Sequence, residues 1–163
     1  MGLQIDFARL SSKDVLDLAI AAEAEARDNY EQIATWLQGR GNSEVAEFFT
    51  TMAGLEQIHC DQISEQRRRL FGDEPPSHRE TAAWEVESPD YDRISMDMSI
   101  RTALDTALDA EVKAHDYYAG ALEYITDPRV TALFEELRQA EMQHQRMIRR
   151  QIGRLEGGDE AES

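Results

Sequence analysis

Of the 163 residues only one is a cysteine, Cys60. That excludes an intramolecular disulfide and any metal site built from Cys-x-x-Cys pairs. Nine glycines and four prolines are too few for a loop-dominated or low-complexity chain. Basic residues are outnumbered, 17 against 33 acidic, giving a formal charge of −16. Nucleic acid, whose phosphates demand a basic surface, is thereby excluded as a partner. So acidic a surface serves solubility and draws cations. No apolar run has the length of a membrane span or the form of a signal peptide, so no membrane association and a cytoplasmic location are expected. What the chain does have is 41% hydrophobic residues, enough for one domain with a sizeable core.

The apolar residues recur at helical spacing in four stretches. Ser11 or Ser12 caps the first, whose inner face carries Leu16, Ala19, Ile20, Ala26, Tyr30, Ile33 and Leu37, and which ends at Gly39-Arg-Gly41. The second starts at Asn42 or Ser43 and runs to about Phe71, before Gly72-Asp-Glu-Pro-Pro76. A long connection over residues 72–98, holding Trp84 and Tyr91, is expected to lie against the other helices. The third helix is predicted over Ser99–Ile125, with Leu104, Leu108, Ala114, Tyr118 and Leu122 inward. The fourth opens at Asp127-Pro128, an N-cap followed by proline at the first helical position. Its inner face carries Val130, Leu133, Phe134, Leu137, Ile148 and Ile152. Two helical hairpins joined by a long crossover form an all-α, ferritin-like four-helix bundle. The expected domain spans residues 1–156, and residues 157–163 (GGDEAES) read as a disordered acidic tail.

Ionisable residues interrupt these apolar stripes. Phe48, Phe49, Met52 and Ile63 share a stripe with Glu56 and His59. The same Glu-x-x-His pattern recurs at an offset of 85 as Glu141 and His144, and Phe49, Met52 and Ile63 then meet Phe134, Leu137 and Ile148. The odd helices match at an offset of 88, pairing Glu23 with Glu111 and Tyr30 with Tyr118. The chain therefore reads as two related hairpins. Residues at i and i+3 share a helix face, so a bundle gathers four carboxylates and two imidazoles at similar depth. Bare, four carboxylates in an apolar interior repel too strongly to coexist. Two cations would neutralise them, and a set of oxygen and nitrogen donors suits iron or manganese.

A single Glu-x-x-His on an amphipathic helix arises readily by chance. Two copies in register, each preceded by a stripe-breaking glutamate, do not. One Glu from each of two helices plus Glu-x-x-His from each of the others is the ligand set of ferritin-like di-metal proteins.

Glu23-x-x-Ala26-Arg27-Asp28-x-Tyr30, with Glu56-x-x-His59, Glu111 and Glu141-x-x-His144, resembles the rubrerythrin branch of that superfamily over about residues 10–155. The resemblance implies a di-iron centre in which Glu56 and Glu141 bridge, Glu23 and Glu111 are terminal ligands and His59 and His144 each complete one iron. It differs in two respects. Rubrerythrins carry a C-terminal rubredoxin domain with four cysteines, and this chain has none. They also carry a further glutamate three residues after the third-helix ligand, where Ala114 stands here. The remaining six ligands are closer to a bacterioferritin-type ferroxidase centre. Gln57 occupies the position of the bacterioferritin haem methionine, so haem is not expected.

Tyr30 and Tyr118 lie two turns beyond Glu23 and Glu111, placed to hydrogen-bond ligand carboxylates or simply to pack in the core. Cys60 reads as a small packed residue, His115 as part of a polar flank, His78 as a partnerless crossover residue and Gln66-Arg-Arg-Arg69 as a solvated face. The function expected from the resemblance is a di-iron oxidoreductase. It would turn over O2 or hydrogen peroxide, as a peroxidase with an external electron donor or as a ferroxidase, in oxidative stress or iron homeostasis. Manganese or a mixed pair is the alternative metal content, and a non-catalytic iron-binding or storage module the alternative function. A homo-oligomer, a dimer with or without exchanged helices, is expected.

Overall fold

The computed structural model describes residues 5–76 and 99–162. Among them are four α-helices and no strand: α1 Ser12–Gly39, α2 Ser43–Phe71, α3 Ile100–Leu122 and α4 Pro128–Glu162, with a 3-10 turn at Phe7–Arg9 before them. None of these helices is long and apolar enough to cross a membrane.

Each helix starts where a short polar side chain takes up free backbone donors. Ser11 caps α1 reciprocally with Asp14, Ser11 Oγ accepting from Asp14 N at 3.1 Å and Asp14 Oδ2 from Ser11 N at 3.0 Å. Asn42 caps α2 through Val45 N, Ser99 caps α3 through Thr102 N, and Asp127 Oδ1 accepts from Arg129 N at the start of α4. Gly41, at φ 78°, turns the chain between α1 and α2 in a conformation that costs other residues energy. There Asn42 N donates back to the Leu37 carbonyl.

Two boundaries differ from the sequence reading. α3 ends at Leu122, not Ile125, because the N–H groups of Glu123 and Tyr124 tighten onto the Gly120 and Ala121 carbonyls as the chain turns towards Asp127-Pro128. The backbone of α4 continues helical to Glu162, through residues expected to be a disordered tail. Each residue added to an existing helix gains a hydrogen bond, and no proline stops this one. The crossover side chains Trp84, Tyr91 and His78 lie outside the described residues.

Helix α1 packs along α2, and α3 along α4. The two hairpins meet through α2 against α4 and α1 against α3. Apolar side chains gather in two clusters, one around Ile33, Leu37, Phe49, Met52, Leu104 and Ile148, the other around Leu16, Leu18, Ile63, Tyr117, Phe134 and Leu137. The C-terminal half of α1 shares its cluster with the N-terminal half of α3, so these two helices run antiparallel. Between the clusters lies a layer of polar residues. Each fully buried leucine, isoleucine or phenylalanine contributes about 1.5–3 kcal/mol, so cores on both sides can hold together a bundle whose middle is unfavourable by itself.

Candidate metal centre

That middle layer consists of Glu23, Glu56, His59, Glu111, Glu141 and His144, contributed by helix interiors and all from one chain. Every one is buried, from 0% exposed at Glu141 to 8% at His59. The structure thus brings together all six residues singled out from the sequence.

Their distances follow the internal repeat. His59 Nδ1 lies 3.6 Å from Glu23 Oε2, 3.8 Å from Glu56 Oε2 and 3.7 Å from Glu141 Oε1. His144 Nδ1 lies 3.2 Å from Glu111 Oε2, 3.6 Å from Glu141 Oε2 and 3.0 Å from Glu56 Oε1. Each of Glu56 and Glu141 therefore turns one oxygen to each histidine, whereas Glu23 approaches only His59 and Glu111 only His144. The two imidazoles stack with centroids 5.2 Å apart. Ligand-type atoms of Glu56, His59, Glu141 and His144 all lie within 4.8 Å of one another.

Two tyrosines fix the outer carboxylates, and they do so across the bundle. Tyr30 on α1 donates to Glu111 Oε1 on α3 at 2.6 Å, and Tyr118 on α3 donates to Glu23 Oε1 on α1 at 2.5 Å. Each leaves the second oxygen of its glutamate facing a histidine. Antiparallel packing of α1 and α3 creates this exchange, which the pattern along one helix could not reveal.

Burial raises the carboxyl of Glu56 well above its ordinary value, and the charges of Glu111, Glu23 and Glu141 raise it further. Burial does the same to Glu141, reinforced by Glu111 and Glu23. The outer pair behaves in the opposite way. Burial pushes Glu111 up, but its neighbours Glu141, His144 and Tyr30 outweigh it and hold the group at about 2. Glu23 is likewise lowered against burial, by Glu56, His59 and Tyr118. Burial pulls the His144 imidazolium down, yet Glu111 and Glu23 raise it on balance. The Tyr118 phenol is pushed well up by burial and by the Glu23 charge. Without metal, then, the environment favours the proton on Glu56 and Glu141 and the charge on Glu23 and Glu111.

As ionised groups the carboxylates lack donors. Both oxygens of Glu141, Glu23 Oε2, Glu56 Oε1 and His59 Nδ1 are buried without a hydrogen-bond partner. Native interiors rarely leave such atoms unmatched, and here they all face one another. Protons fill the need partly. Cations fit it fully, since every orphaned atom is a hard oxygen or imidazole nitrogen donor.

The other residues weighed in sequence fall elsewhere. Cys60 is packed with Sγ 3.9 Å from the Ile20 carbonyl, and burial raises its thiol. His115 pairs with Asp116 on a flank. Arg68 and Arg69 pair with Glu65 at the surface, as read. Arg67 does not share their solvated face: it is buried, its Nε 2.7 Å from Asp17 Oδ1, and it also donates to the Gly72 and Glu74 carbonyls. The inward turn is driven by a poorly solvated aspartate on α1 and by free carbonyls at the end of α2.

A four-helix bundle of two related hairpins, with Glu/Glu-x-x-His from each facing the other across a buried layer, defines the class of ferritin-like metal-binding bundles. Within that class the family model described as Rubrerythrin matches residues 14–152, and the chain belongs to this family. Neither the curated proteins nor the solved structures yield a match.

Proposed function

We propose that this protein is a di-iron oxidoreductase acting on hydrogen peroxide or O2, with Glu56 and Glu141 as bridging ligands, Glu23 and Glu111 as terminal ligands and one histidine per iron. The observation that carries this reading is the pair of central carboxylates, each dividing its two oxygens between His59 and His144. Ferrous ions held by these residues would supply the electrons for reducing a small oxidant. The chain's own residues do the rest. Glu56 and Glu141 give up their protons as the cations enter, Tyr30 and Tyr118 keep the outer carboxylates aimed inward, and the two apolar clusters exclude bulk water.

The size of the reactant follows from the cavity that reaches the carboxylates, whose volume is ≈ 40 Å³. Sites for organic ligands occupy about 300–1,000 Å³, so the reactant is a small oxidant. The alternative is a ferroxidase. It is favoured by Ala114, which leaves six ligands where a seventh carboxylate would stand in rubrerythrins proper. Rapid mixing of the ferrous-loaded protein with each oxidant separates the two. The peroxidase reading predicts faster oxidation by peroxide than by O2, with iron retained. Oxidation no faster with peroxide, or release of ferric iron, contradicts it.

A further inference from the structure

Helices α2 and α4 run antiparallel, since the first half of α2 shares a cluster with Ile148 and its later Ile63 shares the other with Phe134 and Leu137. On the outer side of their junction Phe48, Met147, Arg150, Gln151 and Arg154 line a cleft of ≈ 390 Å³. Helical spacing continues its apolar floor along both helices: Leu55 and Ile58 follow Phe48 on α2, and Ala140 precedes Met147 on α4. Ile58 is 53% exposed in the middle of this face, and Phe48, Leu55 and Met147 are half-buried. The two ends carry opposite charge. Residues 143–155 hold four arginines and no acid, so one end is basic in a strongly acidic chain. Glu136, exposed on the same side of α4, marks the other end. Among the described residues neither Glu136 nor Arg150 has an ion-pair partner, and Arg154 has Glu44 at 3.9 Å.

Glu136 and Arg150 lie seven residues to either side of Gln143, about 10 Å each way along the helix axis. A two-fold axis between Gln143 and Ile58 therefore brings Glu136 of each copy onto Arg150 of the other. It also lays Leu55, Ile58 and Ala140 on their own counterparts. Isologous contacts require a surface that is its own complement, and this face is one. We propose that the α2/α4 face is the interface of a homodimer, with two Glu136–Arg150 pairs between copies flanking an apolar strip centred on Ile58. Helix rise and spacing give the face about 30 Å by about 20 Å, so two copies bury about 1,200 Å², the lower end for stable complexes. Two chains of formal charge −16 repel one another, and a contact that turns basic surface onto acidic offsets this. The contact uses none of the six buried Glu and His residues. It leaves clear the opposite side of the bundle, where Ala22, Ala26, Ala110 and Ala114 of α1 and α3 line the cavity that reaches the carboxylates.

Sedimentation equilibrium of the full chain tests this, and the wild type should show a monomer–dimer equilibrium. Arg150→Glu or Glu136→Arg alone sets like charges against each other twice, and should raise the dissociation constant about tenfold. An equimolar mixture of these two variants should associate as the wild type does, because each then meets in the other copy the charge it lacks. Ile58→Lys should leave a monomer whose helix content and melting temperature match those of the wild-type monomer, since the side chain is exposed. A wild type that stays monomeric at every concentration overturns the proposal and leaves the face to another occupant. So does a dimer that all three variants leave unchanged, which places the contact on another face. Single variants that dissociate but do not re-associate on mixing contradict the antiparallel pairing of Glu136 with Arg150.

Discussion

Tyr30 and Tyr118 each hold one oxygen of a glutamate on the other odd helix, and this exchange of partners ties the two halves of the centre together. Outer hydrogen bonds of this kind are worth about 10–100-fold in metal affinity. Tyr30→Phe should therefore weaken the ion beside Glu111 and His144, and Tyr118→Phe the ion beside Glu23 and His59, each by that factor in a competitive metal titration. The central carboxylates make a prediction of opposite sign. Glu141 is fully buried, short of donors and pushed well above its ordinary value by burial and its neighbours. Glu141→Gln removes a carboxyl that burial forces to take up a proton on folding, so it should raise the melting temperature of the metal-free protein, by about 3 °C or more. The same variant should lose metal. Calorimetry with and without chelator checks both arms. The pH dependence follows with its sign. Glu56, Glu141 and His144 have folded-state values raised above 4.5, 4.5 and 6.5. Stability from such groups is present below the unfolded value and is lost as pH rises towards the folded one. Glu111, held at about 2, contributes stability above 4.5 that is lost only in strong acid. The metal-free protein should thus be less stable at pH 8 than at pH 6. Metal loading, which displaces those protons, should flatten the trend in melting curves.

Among the elements, α2 carries the heaviest duties. It supplies Glu56 and His59, lines both apolar clusters, and ends where Arg67 turns inward to Asp17 and to the Gly72 and Glu74 carbonyls. Removing one partner of a buried pair leaves the other charge stranded, typically at a cost of about 3–5 kcal/mol. Arg67→Ala should fall near the lower end of that range in denaturant unfolding, because Lys13 stands 3.9 Å from Asp17 and takes over part of the pairing. Helix starts were legible in the sequence because capping is local: Ser11, Asn42 and Asp127 cap as their positions imply, and Ser99, read as the first residue of its helix, caps it instead. Helix ends were less so. The last turn of α3 depends on how the chain reverses towards Pro128, and the backbone of α4 runs on through Gly157 and Gly158, which the sequence reading took as its end. Arg67 was misread for a related reason, since its partner lies fifty residues away on another helix.

At the scale of the molecule, the internal repeat made the centre readable. Each stripe-breaking glutamate has a counterpart at a fixed offset, and folding two like hairpins against each other places the counterparts face to face. Invisible in the sequence were the contacts between α1 and α3: the crossed tyrosines and the cavity lined by alanines of both helices. Two ions neutralising the layer should also stabilise the whole fold, because they bind the native state and not the unfolded chain. The central claim is that Glu56 and Glu141 hold metal jointly with both histidines. Elemental analysis of the purified wild-type, Glu56→Ala and Glu141→Ala proteins tests it most directly. The account predicts two metal ions per chain in the wild type, mainly iron, and loss of both ions in either variant, since each glutamate serves both. Metal content that is unchanged in the variants, or absent from the wild type after loading with ferrous iron, would contradict it.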